Sequence, residues 1–549
     1  MSEGIRQPLQ RRRLRIDPWS VGAGLIAAFV LMPIVAVLWF ALHPEENIWP
    51  HLVSTTLPRY LGNTAVLMLA VGAVTAAVGT GSAWIVVMYR FPGRRWLQWA
   101  LLTPLAVPAY VGAYALVDFL EYAGPVQTAL RGMMGWESAR DYWFPDIRTR
   151  GAAIVVLSAA LFPYVYVLSR AALREQSANG FEVARALGAG PLGRFFRVGL
   201  PLMRPAMAAG VAVVMMETVN DFGTVDYFAV QTLTTGIFSV WLQSGNLGGA
   251  AQIATLSLSM IVLLVLAEKL SRRKSRVFQT ARQSRPIEAE PLSRGWAWLA
   301  TAACLLPVLI GFVLPVAVIT SHALNAQEWL APGLARALWH TLSTGGIAAV
   351  VCVAGGLFMV YGVRLSGRRL PVLLMPVTAI GYAAPGAVLA LGILVPLARL
   401  DNWAADQWLA LTGTDPGLVL TGTATALVIA YVARFFAIAQ GTADAAMGRI
   451  SPSLPMAARS LGRTAGGTLG AVHMPLVRAS VGSALLLVFV DCVKELPATL
   501  LLRPFNYETL ATRVHDKASL EKITEVAPAA LMITAVGLLA VTLMARANR

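Results

Sequence analysis

The sequence predicts an all-α integral membrane protein with about twelve transmembrane helices in two parallel, pseudo-symmetric halves. Three observations predict it: a composition poor in charge, apolar runs long enough to cross a bilayer, and an internal repeat. Of 549 residues, 57% are hydrophobic and only 13% charged. Soluble domains are about a quarter charged. A chain this long and apolar cannot hide its hydrophobic surface in one globule, so the bilayer is its natural solvent. The net charge of +16 would suggest nucleic acid in a soluble protein. Here it reports topology, because Lys and Arg gather in cytoplasmic loops. A lipid bilayer is therefore the expected partner, and nucleic acid is not.

Apolar runs lie near 21–42, 62–88, 97–119, 151–170, 202–222 and 250–268. A second set lies near 298–320, 338–362, 371–397, 417–440, 477–496 and 526–545. The 371–397 run contains Pro376, Pro385 and Pro396, which predict a kink or break. The first run follows Arg11-Arg12-Arg13, as a signal peptide would. It is long for a signal sequence and no clear small-residue cleavage site follows, so it reads as a retained span.

Charge orients the bundle. Basic residues cluster in the N-terminal tail (Arg6, Arg11, Arg12, Arg13, Arg15), then at Arg90, Arg94 and Arg95, and again at Arg174, Arg185, Arg194 and Arg197. The stretch 269–295 is strongly basic, whereas 223–249 has no Lys or Arg. Arg364, Arg368, Arg369, Arg449, Arg459 and Arg463 repeat the alternation in the second half. Twelve spans with both termini in the cytoplasm satisfy it. The outer loops 120–150 and 497–525 carry mixed charge, with acids offsetting the bases.

The halves match at a nearly constant offset. Arg90-Phe-Pro-Gly93-Arg94-Arg95 recurs as Arg364-Leu-Ser-Gly367-Arg368-Arg369, an offset of 274. Ala184-Arg185-Ala186-Leu187-Gly188 recurs at the same offset as Ala458-Arg459-Ser460-Leu461-Gly462. Glu217 and Asp221 recur as Asp491 and Glu495, and Thr64 recurs as Thr341 at an offset of 277. Six spans per half give both copies the same orientation, related by an axis along the membrane normal. The expected organisation is a tail 1–20, a first transmembrane domain 21–268, a basic cytoplasmic linker 269–295, and a second domain 296–549.

The fourth loop of each half is the most informative segment. It reads Phe181-Glu182-Val183-Ala184-Arg185-Ala186-Leu187-Gly188, nine residues, then Val198-Gly199-Leu200-Pro201. Its second copy reads Met456-Ala457-Ala458-Arg459-Ser460-Leu461-Gly462, nine residues, then Val472-His473-Met474-Pro475. This pattern predicts a short amphipathic helix, a glycine stop, a connector, and a proline starting the next span. Such an element offers a face to a cytoplasmic partner. One copy could be an ordinary interfacial helix; two at matched spacing make a paired docking surface.

These segments resemble the coupling loop of binding-protein-dependent ABC importer permeases, whose pattern is E-A-A, three residues, G, nine residues, I-x-L-P. Val183 and Met456 depart from it, and Met456 removes the glutamate from the second copy. A single chain with two such halves resembles the fused permeases of the ferric-iron type. So do the stretches Glu217 to Thr224 and Asp491 to Thr499. The resemblance implies the type I ABC importer transmembrane fold in a bacterial inner membrane. It implies two cytoplasmic ATPase subunits, carrying ATP and Mg, that grip loops 181–200 and 455–474. It also implies a periplasmic binding protein that delivers cargo, with ferric iron expected and thiamine, phosphonate or another small solute as alternatives. The coupling residues it points to are Glu182, Ala184, Arg185, Gly188 and Pro201, with Ala457, Ala458, Arg459, Gly462 and Pro475.

Glu217 and Asp221 are four apart and share a helix face, as do Asp491 and Glu495. A charge at the bilayer centre costs about 2.5–3.5 kcal/mol on insertion scales. Two roles are open for them. With Asn220 and Lys494 they could line a polar vestibule whose oxygens suit a hard cation. Alternatively they sit in water at the outer ends of spans five and eleven, fixing helix packing or pairing with Lys494.

The sequence holds no G-x-x-x-x-G-K-[ST] phosphate loop, no nucleophile elbow and no metal-ligand spacing among its six histidines and three cysteines. Cys304, Cys352 and Cys492 read as buried free thiols. No catalytic residue, metal site or cofactor is therefore expected on this chain, which is not an enzyme in its own right. A gradient-driven secondary transporter would also explain the repeat and the membrane acids, but less well the paired loops.

Overall fold

The computed structural model describes residues 18–273, 287–324, 326–366, 369–451 and 453–547. The basic tail, the linker bases from Lys274 to Arg285, and Gly367-Arg368 lie outside the described residues. The first half contains α1 (Pro18–Leu42), α2 (Leu57–Met88), α3 (Ala109–Leu120), α4 (Arg150–Arg174), α5 (Leu200–Asn220) and α6 (Leu247–Arg273). The second contains α7 (Arg294–Leu324), α8 (Pro332–Ser366), α9 (Gly386–Thr412), α10 (Thr425–Gly448), α11 (Met474–Val493) and α12 (Ile523–Ala547). Among the described residues, 11 helices are long and apolar enough to cross a membrane, or up to 12 if a bent pair is one span. The three cysteines are free and buried.

The third span of each half is broken. The sequence predicts this only for 371–397, where helices Arg369–Thr378 and Ile380–Ala383 end before Pro385 and α9 begins after it. The 97–119 run is also interrupted, with Arg94–Ala106 and Ala109–Met134 meeting at 94°. Pro108 (φ −58°, ψ 142°) and Pro385 (φ −55°, ψ 144°) adopt the same extended backbone immediately before the helix restarts. A proline has a fixed φ and no N–H, so it breaks one helix and opens the next at no cost in donors.

Pro201 and Pro475 stand in the first turn of α5 and α11, as expected, but helical structure also precedes them. The helices begin at Pro191 and Ala465 and run through a π turn, Phe195–Gly199 in one half and Leu469–His473 in the other. A third π turn, Leu309–Val313, likewise precedes Pro315. A proline inside a helix removes one hydrogen bond and crowds the preceding turn. The wider π turn accommodates both, so the helix continues.

The first span of each half packs on the other half. Ala23 and Val30 of α1 share a buried cluster with Met359 and Phe436. Gly392 lets α9 pass directly over Pro33, whose carbonyl oxygen would lie 1.9 Å from any Cβ there. Reciprocally, Ala297, Ala300, Cys304 and Val308 of α7 pack among Leu97, Phe162, Tyr166 and Met203 of the first half. This exchange interlocks the halves. A short parallel ladder adds to it, with β1 (Tyr89–Arg90) pairing β2 (Glu290–Pro291) of the linker.

The stretch 223–249 is not a simple outer loop. After α5 the chain folds back through helices Gly223–Tyr227 and Leu233–Phe238, most of whose residues are buried. Pro497–Leu502 and Leu510–Ser519 do the same after α11. The repeat is kept in detail. The Thr64 hydroxyl accepts the Leu233 N–H at 3.0 Å, and Thr341 accepts the Leu510 N–H at 2.8 Å. Both pairs stand 277 apart, so the 274 to 277 drift falls between Glu495 and Leu510 in this segment. The outer-loop bases are offset by acids, as their sequence implied. Arg148 pairs with Glu121 and Glu521, Arg503 with Asp516, and Arg513 with Glu328 and Glu508.

Candidate translocation cavity and docking loops

Glu217, Asn220, Asp221, Asp491, Lys494 and Glu495 all line one cavity between the halves, at the level of the broken spans. Its volume is about 130 Å³, space for roughly four waters at ~30 Å³ each. The acids therefore do not sit in open water at the ends of their spans. The folded-back helices after α5 and α11 cover them from one side.

Asp221 and Glu495 do the same structural job. Asp221 accepts hydrogen bonds from the N–H groups of Thr224 (3.0 Å) and Val225 (3.1 Å) and from the Thr224 hydroxyl. Glu495 accepts from the N–H groups of Ala498 and Thr499, both at 3.2 Å, and from the Thr499 hydroxyl. Each carboxylate satisfies donors that a short helix leaves unpaired at its start. The packing role is thus present for these two, and it coexists with a place on the cavity wall.

The charges around them are not symmetric. Arg434 of α10 donates to Glu495 at 2.6 Å, with side chains 9% and 2% exposed. Its equivalent 274 residues earlier is Ala160, so Asp221 has no such base. Lys494 pairs with Asp491 at 2.8 Å. Glu217 accepts a hydrogen bond from the Tyr382 hydroxyl of the other half at 3.2 Å. Four carboxylates and two bases leave the ionised cavity with two excess negative charges. The Asn220 side-chain oxygen and the Tyr110 hydroxyl are buried in the wall without a partner among the described residues. Among the described residues, no three His, Cys, Asp or Glu converge to hold a metal ion.

Arg434, Tyr382, Tyr110 and Tyr164 complete the wall and were missed from sequence. For Arg434 a signal existed: it is an ionisable residue in an apolar span, a functional candidate by that fact alone. The tyrosines carry no such mark.

The docking-loop residues form two matched elements. Helices Asn179–Ala186 and Ser453–Ser460 are each stopped by a glycine in the left-handed region, Gly188 at φ 81° and Gly462 at φ 80°. In one, Ala189 N–H bonds the Ala184 carbonyl and Gly188 N–H bonds that of Arg185. In the other, Arg463 N–H bonds the Ala458 carbonyl and Gly462 N–H bonds that of Arg459. These pairs are the two hydrogen bonds of a glycine-terminated helix. Glu182 and Arg185 are exposed, as are Ala457 and Arg459, while Ala184 and Ala458 are half-buried. Leu187 and Leu461 stand 83% and 85% exposed at equivalent places. Pro201 and Pro475 lie beyond the π turns, at the base of the spans that these loops feed.

Residues 68–276 match the family of binding-protein-dependent transport system inner membrane components. The chain is 24% identical over 482 residues to the Fe(3+)-transport system permease protein FbpB 2 of Haemophilus influenzae, covering 87% of each chain. It is 30% identical over 202 residues to the molybdenum transport system permease protein ModB of Escherichia coli K12, covering 35% of this chain and 82% of that one. It is 26% identical over 287 residues to a probable sulfate transport system permease protein, cysT, of Nephroselmis olivacea, covering 51% of this chain and 97% of that one. A whole relative of the last kind fits in about half of this chain, as the internal repeat requires. The duplicated bundle, the paired loops and these similarities together place the chain in the family of binding-protein-dependent inner-membrane transport components, as a fused, two-half ABC importer permease.

Proposed function

We propose that this permease passes ferric iron, received from a periplasmic binding protein, through the cavity between its halves. The observation that carries the cargo assignment is the charge of the wall. Each base there already has its own acid, while among the described residues no base pairs with Glu217 or Asp221. Excess negative charge in a low-dielectric cavity favours a cation and opposes sulfate or molybdate. The similarity to an Fe(3+)-transport permease along most of both chains supports the same reading.

Two cytoplasmic ATPases, which carry the ATP and Mg, grip the loops 181–200 and 455–474. Leu187 and Leu461 enter equivalent apolar sites on them, and Glu182 adds a charged contact on one side only. Both termini lie in the cytoplasm with these loops. ATPase closure draws the loops together, and the interlocked halves switch the cavity between outward and inward access. The chain itself contributes no catalytic group and binds no cofactor.

The test is uptake of radiolabelled ferric iron into proteoliposomes holding the permease, its ATPase and its binding protein. ATP-dependent uptake that excess sulfate and molybdate leave unchanged is the expected result. Competition by either oxyanion would overturn the cargo assignment. Gradient-driven uptake by the permease alone would overturn the ATP-driven reading.

A further inference from the structure

The linker does more than join the halves. Its described end, from Ile287 onward, lies against the cytoplasmic side of the first half. There β2 pairs with β1, and the Leu292 N–H bonds the Arg90 carbonyl. Glu290 faces the first docking loop. Arg194 donates to its two carboxylate oxygens, Nη1 at 2.6 Å and Nη2 at 3.1 Å. Arg185, on the docking helix itself, adds a third bond at 3.3 Å. Arg194 is buried and Glu290 is 30% exposed, so this is a two-pronged pair at the edge of the protein rather than a loose surface contact. The hydrogen bonds from Arg194 hold the Glu290 carboxyl below its ordinary pKa.

Among the described residues, the second docking loop has no such strap. Arg194 is replaced there by Thr468, whose hydroxyl bonds the Thr464 carbonyl within its own turn. Arg459, the equivalent of Arg185, meets Tyr361 of α8. The Tyr361 hydroxyl also bonds the Ala465 carbonyl at 2.6 Å. Tyr361 stands where the first half has Val87. Among the described residues, the two loops are therefore held by different chemistry, one by an ion pair from the linker and the other by a neutral hydroxyl of its own half.

We propose that Glu290 is a positioning residue for energy coupling. It sets the first docking loop in register against its ATPase, so that one polypeptide drives its two ATPases through unequal couplings. Because α7 follows β2 directly, and α7 packs on the first half, the strap ties movement of that loop to the first span of the second half. The proposal rests on the reading of these loops as ATPase-docking elements.

Hydrogen exchange and ATPase coupling on the full chain test it. In nanodiscs without any partner, Glu290→Gln is expected to raise amide exchange in 179–199 by roughly tenfold, within the range of such couplings, and to leave 453–473 unchanged. Tyr361→Phe is expected to do the reverse. In the assembled importer, Glu290→Gln is expected to raise ATP hydrolysed in the absence of binding protein and to lower cargo moved per ATP. Unchanged exchange in 179–199, or equal change in both loops, would overturn the strap. Altered exchange with intact transport per ATP would overturn its role in coupling. The exchange arm needs no ATPase, so it stands or falls separately from the docking reading.

Discussion

Replacing Arg434 with Leu should cost this protein about 3 kcal/mol of stability, at the low end of the range for breaking a buried ion pair. The reasoning starts from the 2.6 Å contact between Arg434 and Glu495, whose side chains are 9% and 2% exposed. A carboxylate left without its base at so buried a place has lost its partner and most of its solvent. Removing one member of such a pair costs about 3–5 kcal/mol. The low end applies because Glu495 keeps three donors, the N–H groups of Ala498 and Thr499 and the Thr499 hydroxyl. Adding Glu495→Gln to Arg434→Leu removes the stranded charge while keeping an oxygen for those donors. The double variant should regain about 1 kcal/mol or more, a coupling typical of contacting residues. Reversible unfolding in mixed detergent micelles, followed by tryptophan fluorescence, measures Arg434→Leu, Glu495→Gln and the double variant. A loss below about 1 kcal/mol for Arg434→Leu, the value of an exposed pair, would refute the argument. So would a double variant whose loss equals the sum of the singles.

Gly386→Ala should disturb the same pair, since its Cβ would lie 2.3 Å from Arg434 Nη1 and 2.5 Å from Glu495 Oε1. A loss of about 1–3 kcal/mol is expected from such overpacking, whereas Ala109→Gly at the equivalent place should cost no more than about 1 kcal/mol; the same unfolding assay compares them. Glu217→Gln should lower cation flux in proteoliposomes while leaving basal ATP hydrolysis unchanged, and equal flux would count against the charged vestibule. Gly188→Val and Gly462→Val force a β-branched residue into the left-handed region, at about 1–3 kcal/mol of local strain. Each should reduce transport per ATP without reducing membrane insertion, as read by uptake and by the yield of folded protein. Because Glu290 has a depressed pKa in the folded protein, the stability its pair with Arg194 adds is present in full above the ordinary carboxylate value. It is lost as pH falls through the lowered one. Exchange protection of 179–199, corrected for intrinsic rates, should therefore be flat from about pH 5 to 8 and fall below about pH 4.

Much of the cavity was legible in the chain because it was written twice. Glu217, Asp221, Asp491 and Glu495 stood out as paired acids in apolar surroundings, and all four reach the same wall. Gly188 and Gly462 stood out because a helix stop recurs at the same offset, and both adopt the backbone that glycine alone takes readily. Arg434 was passed over for the opposite reason. It has no copy, since Ala160 occupies its place, and a repeat draws attention only to what is repeated. A lack of Lys and Arg in 223–249 suits a folded-back, largely buried segment as well as an exposed loop, so its short helices could not be read from charge.

By itself the sequence determined that the chain crosses a membrane about twelve times, that its halves are parallel copies, and that each copy carries the same short helix ended by a glycine stop. These properties are local: transfer of an apolar run into lipid, a glycine stop and a repeated spacing need no distant partner. The tertiary structure alone decided that α1 and α7 exchange halves, that Arg434 belongs to Glu495, and that Glu290 of the linker holds Arg194 of the first loop. Each of these is a choice among distant partners. The free energy that makes the choice comes from shape and burial across the whole bundle, and it leaves no periodicity along the chain.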